Sequence, residues 1–309
     1  MSAYNEYQNS ICSIPEFLNK YLELDIMKKL KGRSLFCGMD YASPYMYNFK
    51  YQISRYDHSL NTALITWKLT EDKKQTIAAL FHDISTPVFS HVIDYMNGDY
   101  VEQESTEAKT RELLLSSKKL LEYLQDDYID INDIVNFKQY SVVDLPRPSL
   151  CADRLENIIG VGMSWVKDMS LSQAIEIIDS LTLSKNENNQ YEISFRHKYL
   201  GELVKHINDS INELTHSNTD TYMMILLADI VKKTIDEGYI IYDDLFRLTE
   251  EEYIKIIEDN VPFDYELADM WDTFKHVSEP SCKYDIEIKD MTLNPIVRDR
   301  RLVQKNKEQ

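Results

Sequence analysis

Apolar residues recur at helical spacing along much of the chain, with polar residues between them. The stretch IPEFLNKYLELDIMKKLKG predicts an amphipathic helix whose apolar face carries Phe17, Tyr21, Leu24 and Met27. A second predicted helix begins at His58, and its apolar side carries Leu60, Ala63, Leu64 and Trp67. The segment between them, RSLFCGMDYASPYMYNFKYQ, lacks this period. The pattern therefore predicts helices joined by a tyrosine-rich connection.

The next predicted helix ends in an adjacent histidine and aspartate. Thr70 is the predicted N-cap, and the helical spacing continues through Ile77, Leu80, Phe81 and Ile84. Pro87 lacks a backbone donor and disfavours helical geometry at Thr86, so the helix is predicted to end just past Asp83. His82 and Asp83 then lie in its last turn, about 100° apart around the helix axis.

Further helices are predicted along the rest of the chain. Ser105 or Thr106 is the predicted cap of TEAKTRELLLSS, and Asp153 begins the apolar helix in SLCADRLENIIG. In LTEEEYIKIIED, Thr249 and Glu252 have the spacing of a capping box. The segment SKNENNQYEISF indicates a polar linker followed by a short strand, so we expect a boundary between residues 1–183 and residues 184–309. The basic segment RDRRLVQKNKEQ predicts a loose tail or an oligomer contact.

Composition supports a helical fold and limits the possible partners. Only 7 glycines and 8 prolines occur in 309 residues, which favours an all-α fold with one short strand or hairpin. The net charge of −18 disfavours general binding to nucleic acid or to anionic membranes. A polyanionic substrate therefore needs local cations. The start of the chain lacks the pattern of a signal peptide, and no apolar run is long enough to cross a membrane, so we expect a cytoplasmic location.

Four residues have the chemistry of a metal site: His58, His82, Asp83 and Asp153. Imidazole nitrogens and carboxylate oxygens together suit divalent Mn, Fe, Co, Ni, Zn or Mg. Such an ion polarises a phosphoryl group and activates water. Spacing alone leaves two interpretations open, because a histidine near a helix end is often a cap or a satisfied core residue.

Three segments resemble the HD-domain phosphohydrolase superfamily, which has an H…HD…D set of metal ligands. They are SRYDHSLNTALITWKL, AALFHDISTPVFSHVIDY and CADRLENI, and they are most similar to the deoxynucleoside-triphosphate triphosphohydrolase branch. The resemblance covers residues 50–160 well, and GYIIYDDLFRLTEEEYIKII extends it toward the C-terminus. It implies the metal ligands His58, His82, Asp83 and Asp153. It also implies that Arg55 lies near the phosphates, that His91 and Asp94 line a nucleotide site, and that the protein forms a homo-oligomer.

The chain departs from that branch at positions that matter for proton transfer. Thr86 stands where the branch has a histidine, and Thr106 replaces a second one in the segment Ser105-Thr106-Glu107. Threonine can only position groups by hydrogen bonds at neutral pH. Glu107 is therefore the first choice for proton transfer, followed by Asp94 and His91. The sugar-contacting Tyr and Asp of the branch correspond to Asn157 and Val161, which weakens the expectation of a deoxyribonucleotide substrate.

The sequence thus predicts a metal-dependent phosphohydrolase that acts on a nucleotide, with a (deoxy)nucleoside triphosphate as the first candidate substrate. Arg55 and Thr86 are the predicted substrate-binding residues, and water activated by the metal is the predicted nucleophile. One alternative is a phosphodiesterase or phosphomonoesterase of a nucleotide. The other is a sensor that binds metal and nucleotide but catalyses no reaction.

Overall fold

The computed structural model describes residues 2–303, and most of them lie in helices. The helices before the predicted boundary are α1 (Ala3–Ile11), α2 (Asn19–Leu22), α3 (Asp25–Lys28), α4 (Arg55–Thr70), α5 (Lys73–Phe81), α6 (Val92–Met96), α7 (Thr110–Ser116), α8 (Lys118–Asp126), α9 (Ile131–Val135), α10 (Ala152–Val161) and α11 (Leu171–Ser180). The later helices are α12 (Lys198–Thr215), α13 (Asn218–Asp236), α14 (Glu250–Asn260) and α15 (Tyr265–His276). The predicted helical fold class is confirmed.

A small sheet accompanies the helices, with strands β1 (Leu181–Lys185), β2 (Tyr191–Phe195), β3 (Ile296–Val297) and β4 (Arg300–Arg301). The strand order is β1-β2-β3-β4. The β1-β2 hairpin pairs Leu183 with Ile193, and β3 lies parallel to β2 with Ser194 opposite Ile296. The polar segment predicted as a linker therefore contributes part of β1 and the hairpin turn.

The helices around the His-Asp pair begin and end at positions other than those predicted. Helix α4 begins at Arg55 rather than at His58, because Ser54 caps it. The Ser54 hydroxyl accepts from the backbone N–H of Asp57, and the Asp57 carboxylate accepts from the N–H of Ser54. Thr70 is the last residue of α4 rather than the cap of the next helix. Asp72 caps α5 by accepting from the N–H groups of residues 74 and 75. The next helix α5 ends at Phe81, earlier than predicted, so His82 and Asp83 lie in the turn that follows.

The predicted N-terminal helix is broken into short pieces. Residues 16–18 and 29–32 form single 3₁₀ turns on either side of α2 and α3. Its apolar face is still buried at Tyr21, Leu24 and Met27. Helix α1, which precedes it, was not predicted, and it buries Tyr4, Tyr7 and Ile11.

Two clusters of buried apolar residues form the core, and each combines segments from both sides of residue 183. The first contains α1, α4, α5 and α10 together with side chains of β2 and α12. The second packs α6 and residues near 39–47 against α13, α14 and α15. The boundary between residues 183 and 184 stays a prediction.

The start of the basic C-terminal segment is ordered by ion pairs, so the predicted loose tail is wrong for residues 298–303. Arg301 lies in β4, and its guanidinium contacts the carboxylates of Glu187 and the fully buried Glu192 at 2.7 and 2.6 Å. The last six residues, 304–309, lie outside the described part of the chain. Among the described residues, no helix is long and apolar enough to cross a membrane.

Candidate metal centre

Three neighbouring elements bring the predicted ligands together. His58 lies in the first turns of α4, His82 and Asp83 lie in the turn after α5, and Asp153 lies in the first turn of α10. Helix α4 packs against both α5 and α10, so it lies between the other two sources of ligands. This packing makes residues that are 24 and 95 positions apart direct neighbours.

The side-chain atoms converge at distances that a single cation could span. The Nε2 atoms of His58 and His82 are 3.2 Å apart, and Asp153 Oδ1 lies 3.0 Å from the first and 3.4 Å from the second. The carboxylate of Asp83 is 3.8 Å from His58 Nε2 and 3.7 Å from His82 Nε2. His58, His82 and Asp83 offer ligand atoms that all lie within 4.8 Å of one another.

The other ring nitrogen of each histidine has its own hydrogen-bond partner. His82 Nδ1 lies 2.7 Å from the carbonyl oxygen of Ala79, and His58 Nδ1 lies against Oε2 of the fully buried Glu156. In the neutral imidazole, an acceptor at Nδ1 fixes the proton there and leaves the Nε2 lone pair free. Both Nε2 atoms point at the space that the two aspartates also face.

Opposite charges determine the ionisation of the two aspartates. Burial on its own raises the pKa of Asp83, but His82, Arg55 and His58 outweigh it and hold that pKa well below its usual range. Burial likewise opposes ionisation of Asp153, and hydrogen bonds from His58 and His82 again lower its pKa. Arg55 is buried and its Nη1 donates to Asp83 Oδ2 at 2.8 Å. Both carboxylates are therefore anionic at neutral pH.

The pKa values of the two histidines shift upward, in the opposite direction from those of the aspartates. Burial lowers the pKa of His58, but the carboxylates of Glu156 and Asp153 raise it to about 10. Burial also lowers the pKa of His82, and Asp83 and Asp153 raise it overall. Two imidazoles facing two carboxylates thus form a site that attracts positive charge. A divalent cation fits this donor set, since nitrogen and oxygen ligands converge and both imidazoles are held by hydrogen bonds at Nδ1.

A second set of possible ligand atoms adjoins the first and shares one member with it. Asp144, Cys151 and Asp153 also present ligand atoms within 4.8 Å of one another. Cys151 is buried, and its Sγ lies 3.8 Å from Asp144 Oδ1. Burial raises the pKa of the Cys151 thiol to about 11, so the thiol is protonated at neutral pH. The first set suits a cation better, because the Asp83 carboxylate is already anionic and a bound cation would take the place of the proton on Nε2 of each imidazole.

Of the residues predicted for proton transfer, Asp94 and His91 contact each other. His91 Nδ1 lies 2.9 Å from Asp94 Oδ2, and Asp94 Oδ1 accepts from the backbone N–H and the hydroxyl of Ser105 at 3.1 and 2.5 Å. Asp94 is buried, whereas the His91 side chain is 42% exposed. The Asp94 carboxylate thus ties α6 to the segment that leads to Glu107.

Glu107 lies in a separate groove, and one of the residues that line the groove, Phe137, contacts His82 of the metal cluster. The groove has a volume of about 340 Å³ and is lined by Glu107, Ala108, Thr110, Arg111, Val135, Asn136, Phe137, Lys138 and Gln139. The Phe137 ring also meets the ring of His82 nearly edge-on, with centroids 6.0 Å apart. Glu107 pairs with Lys138 at 2.8 Å. Partial burial raises the pKa of Glu107 despite that lysine.

Thr86 contributes through its backbone in the described contacts. Its carbonyl oxygen accepts from the guanidinium of the buried Arg33, which also donates to the carbonyl oxygen of Phe246 at 2.8 Å. The backbone N–H of Thr86 donates to the carbonyl oxygen of Asp83 at 3.0 Å. Arg33 therefore joins the turn that carries Asp83 to the segment before α14.

Sequence reasoning missed the residues behind His58. Glu156 accepts from the hydroxyl of Tyr4 at 2.8 Å and from the amide of Asn61 at 3.0 Å, in addition to His58. A signal for Glu156 was present, because it follows Asp153 by three positions on the same helix. No comparable signal connects Tyr4, which is 152 residues from Glu156 in sequence.

Comparisons with known proteins find a domain family and relatives that are similar to this chain. Residues 55–157, which span all four predicted ligands, match the family model described as HD domain. YdhJ, an uncharacterized protein of Bacillus subtilis, is 23% identical over 232 residues that span 75% of this chain and 67% of that protein. The metal-dependent phosphohydrolase cns2 of Cordyceps militaris is 27% identical over 135 residues that span 42% of this chain and 37% of that protein. The crystal structure of a hypothetical protein from Aquifex aeolicus has a similar fold, with a TM-score of 0.58, 15% identity, and coverage of 84% of this chain and 71% of that one.

Proposed function

We propose, from the match of residues 55–157 to the HD domain, that this protein is a metal-dependent hydrolase of a phosphate ester or anhydride of a nucleotide. A (deoxy)nucleoside triphosphate is the first candidate substrate. The observation that carries the proposal is the convergence of two imidazole Nε2 atoms and two anionic carboxylates on one space, near a groove with a carboxyl group. The relative described as a metal-dependent phosphohydrolase supports the same reaction class.

Each group of the cluster has a proposed task. His58, His82, Asp83 and Asp153 hold a divalent ion, which polarises the phosphoryl group and activates water when bound. Arg55 neutralises and orients Asp83 through its 2.8 Å contact. Arg55 is also proposed to bind a phosphate oxygen, because its guanidinium lies beside the Asp83 carboxylate.

Glu107 is proposed to move the proton, because a carboxyl group with a raised pKa can accept or donate a proton near neutral pH. Lys138 contacts both Glu107 and Glu104 at 2.8 Å and so holds Glu107 at the groove. Asp94 and His91 have a supporting task, since Asp94 accepts from Ser105, two positions before Glu107. Thr86 is proposed to bind substrate, since it follows Asp83 by three positions and its backbone N–H donates to the carbonyl oxygen of Asp83.

The test is a panel of nucleotides incubated with protein loaded with Mn, Mg, Co, Ni, Fe or Zn. Nucleoside triphosphates, cyclic nucleotides and nucleoside monophosphates are compared, and the products are identified by chromatography. Release of intact tripolyphosphate supports a triphosphohydrolase, whereas nucleoside monophosphate or inorganic phosphate as the product supports the esterase alternatives. Metal-loaded protein that binds nucleotides but forms no product with any of them overturns the proposal in favour of a sensor.

A further inference from the structure

We propose that Glu156 is a positioning residue for His58 and that Tyr4 holds Glu156 in place, so that helix α1 controls the metal affinity of the centre. This inference rests on the proposed role of His58 as a metal ligand. Glu156 cannot reach the cation itself through the oxygen that faces His58 Nδ1, because that contact lies on the opposite side of the ring from Nε2.

Tyr4, Asn61 and Glu156 form a closed set of hydrogen bonds. The hydroxyl of Tyr4 donates to Glu156 Oε1 at 2.8 Å, and the amide of Asn61 donates to the same oxygen at 3.0 Å. The Asn61 amide also donates to the Tyr4 hydroxyl at 2.9 Å. All three side chains are buried, so water does not replace a lost partner easily. The other carboxylate oxygen, Oε2, is left facing the ring of His58.

This arrangement decides which nitrogen of His58 is free. A carboxylate accepts only, so the proton of the neutral imidazole stays on Nδ1, and Nε2 keeps its lone pair for a cation. His82 is held differently, because its Nδ1 lies 2.7 Å from a backbone carbonyl three residues earlier in the same segment. No side-chain substitution removes that carbonyl acceptor. His58 is therefore the ligand whose orientation depends on distant side chains.

Among residues 2–303, helix α1 supplies the partner of Glu156 that lies outside the HD-domain match, namely Tyr4. Tyr4 and Tyr7 are both buried on α1, with ring centroids 5.7 Å apart. The Tyr4 hydroxyl is bonded into the set, whereas the Tyr7 hydroxyl is buried with no hydrogen-bond partner among the described residues. Tyr4→Phe and Tyr7→Phe are therefore a matched pair of variants, since each removes one buried hydroxyl group from α1.

The experiment measures Co²⁺ binding to metal-free protein by titration calorimetry, together with the visible spectrum of the Co²⁺ form. Glu156→Gln is expected to bind Co²⁺ about 10- to 100-fold more weakly and to change the spectrum, because its amide can donate to Nδ1 and move the ring proton to Nε2. Tyr4→Phe is expected to weaken binding by about 3- to 10-fold, since Glu156 keeps its other donor. Tyr7→Phe is expected to match the unmodified protein.

Thermal unfolding of each metal-free variant separates a change at the site from a general loss of folding. If Glu156→Gln does not fold, the comparison of Tyr4→Phe with Tyr7→Phe decides the matter. Equal Co²⁺ affinity and an unchanged spectrum in Tyr4→Phe and Glu156→Gln would overturn the inference. Unmodified protein that binds Co²⁺ but hydrolyses no nucleotide contradicts the proposed function alone, whereas unmodified protein that binds no Co²⁺ contradicts both.

Discussion

Carboxyl groups are removed from water in two regions of the molecule, with opposite effects on their ionisation. At the metal centre, Asp83 and Asp153 keep 19% and 34% of their side chains exposed, and their pKa values are lowered by the imidazoles and, at Asp83, by Arg55. In the second cluster, Glu250 is 1% exposed, and burial raises its pKa to about 8. Burial likewise raises the pKa of Asp220 to about 7, although Tyr47 donates to it at 2.7 Å.

The difference lies in the neighbours rather than in the residue type. An anionic carboxylate near a cation is stabilised, whereas a carboxyl group enclosed by apolar side chains keeps its proton. Glu250 accepts from the backbone N–H of Ser34 at 3.0 Å, and no direct ion pair with a cationic side chain is found for it among residues 2–303. Glu250 therefore mostly keeps its proton at neutral pH and Asp220 keeps it in part, whereas both aspartates of the first region offer anionic oxygens to a metal.

The largest effect is expected when a ligand is removed from the metal centre. His82→Ala should lose bound metal, and turnover should fall by more than about 10³-fold, because the activating ion is gone. Metal analysis and nucleotide hydrolysis measure the two losses. The control is His206→Ala, which removes an exposed histidine of α12. Full activity in His82→Ala would contradict the assignment of the centre.

The second largest effect is expected when the carboxyl group of Glu107 in the groove is removed. Glu107→Gln should lower kcat by about 10²- to 10⁴-fold while leaving bound metal unchanged, since a proton-transfer group contributes that range. Glu104→Gln is the matched control, because Glu104 contacts the same Lys138 nitrogen at the same 2.8 Å distance. If both variants slow the reaction equally, their effect comes from Lys138 and not from proton transfer by Glu107.

The carboxyl groups of the second cluster should affect stability and not metal binding. Below its ordinary pKa of 4.5, Glu250 is protonated in the folded and unfolded chains alike. As the pH rises from there to about 8, only the unfolded chain releases this proton, so the free energy of unfolding falls. Glu250→Gln should therefore be more stable than the unmodified protein above about pH 8, on the order of a few kcal/mol. Denaturant unfolding across this range measures the effect, and parallel pH profiles would show that Glu250 is ionised in the folded protein.

A smaller effect is expected at Asp220. The free energy of unfolding again falls as the pH rises, here between the ordinary pKa of 3.8 and about 7. The fall ends about one pH unit below the end of the fall at Glu250. Asp220→Asn keeps an oxygen that can accept from Tyr47, so the substitution tests charge with little change of packing. Bound metal should remain unchanged in this variant. A loss of metal in Asp220→Asn would show that the two regions are coupled.

Local patterns in the sequence were sufficient for several features. The low content of glycine and proline and the apolar spacing predicted the helical class, which the structure confirms. The Thr249–Glu252 capping box forms as predicted, because both partners lie within one helical turn. The match of residues 55–157 to the HD domain agrees with the predicted superfamily, and the motifs that predicted it are each contiguous in sequence. The triphosphohydrolase branch, the roles of the individual site residues and self-association stay predictions.

Tertiary packing decided the rest. Thr70 and Asp72 could both cap a helix, and only the end of α4 at Thr70 made Asp72 the cap. Residues 298–303 look like a tail in a linear reading, yet Arg301 pairs with Glu187 and Glu192 more than 100 positions away. The sequence by itself determined which residues could bind a cation. Only the folded chain decided that His58 turns Nε2 toward them, because the partners behind its ring, Glu156, Asn61 and Tyr4, come from three different helices.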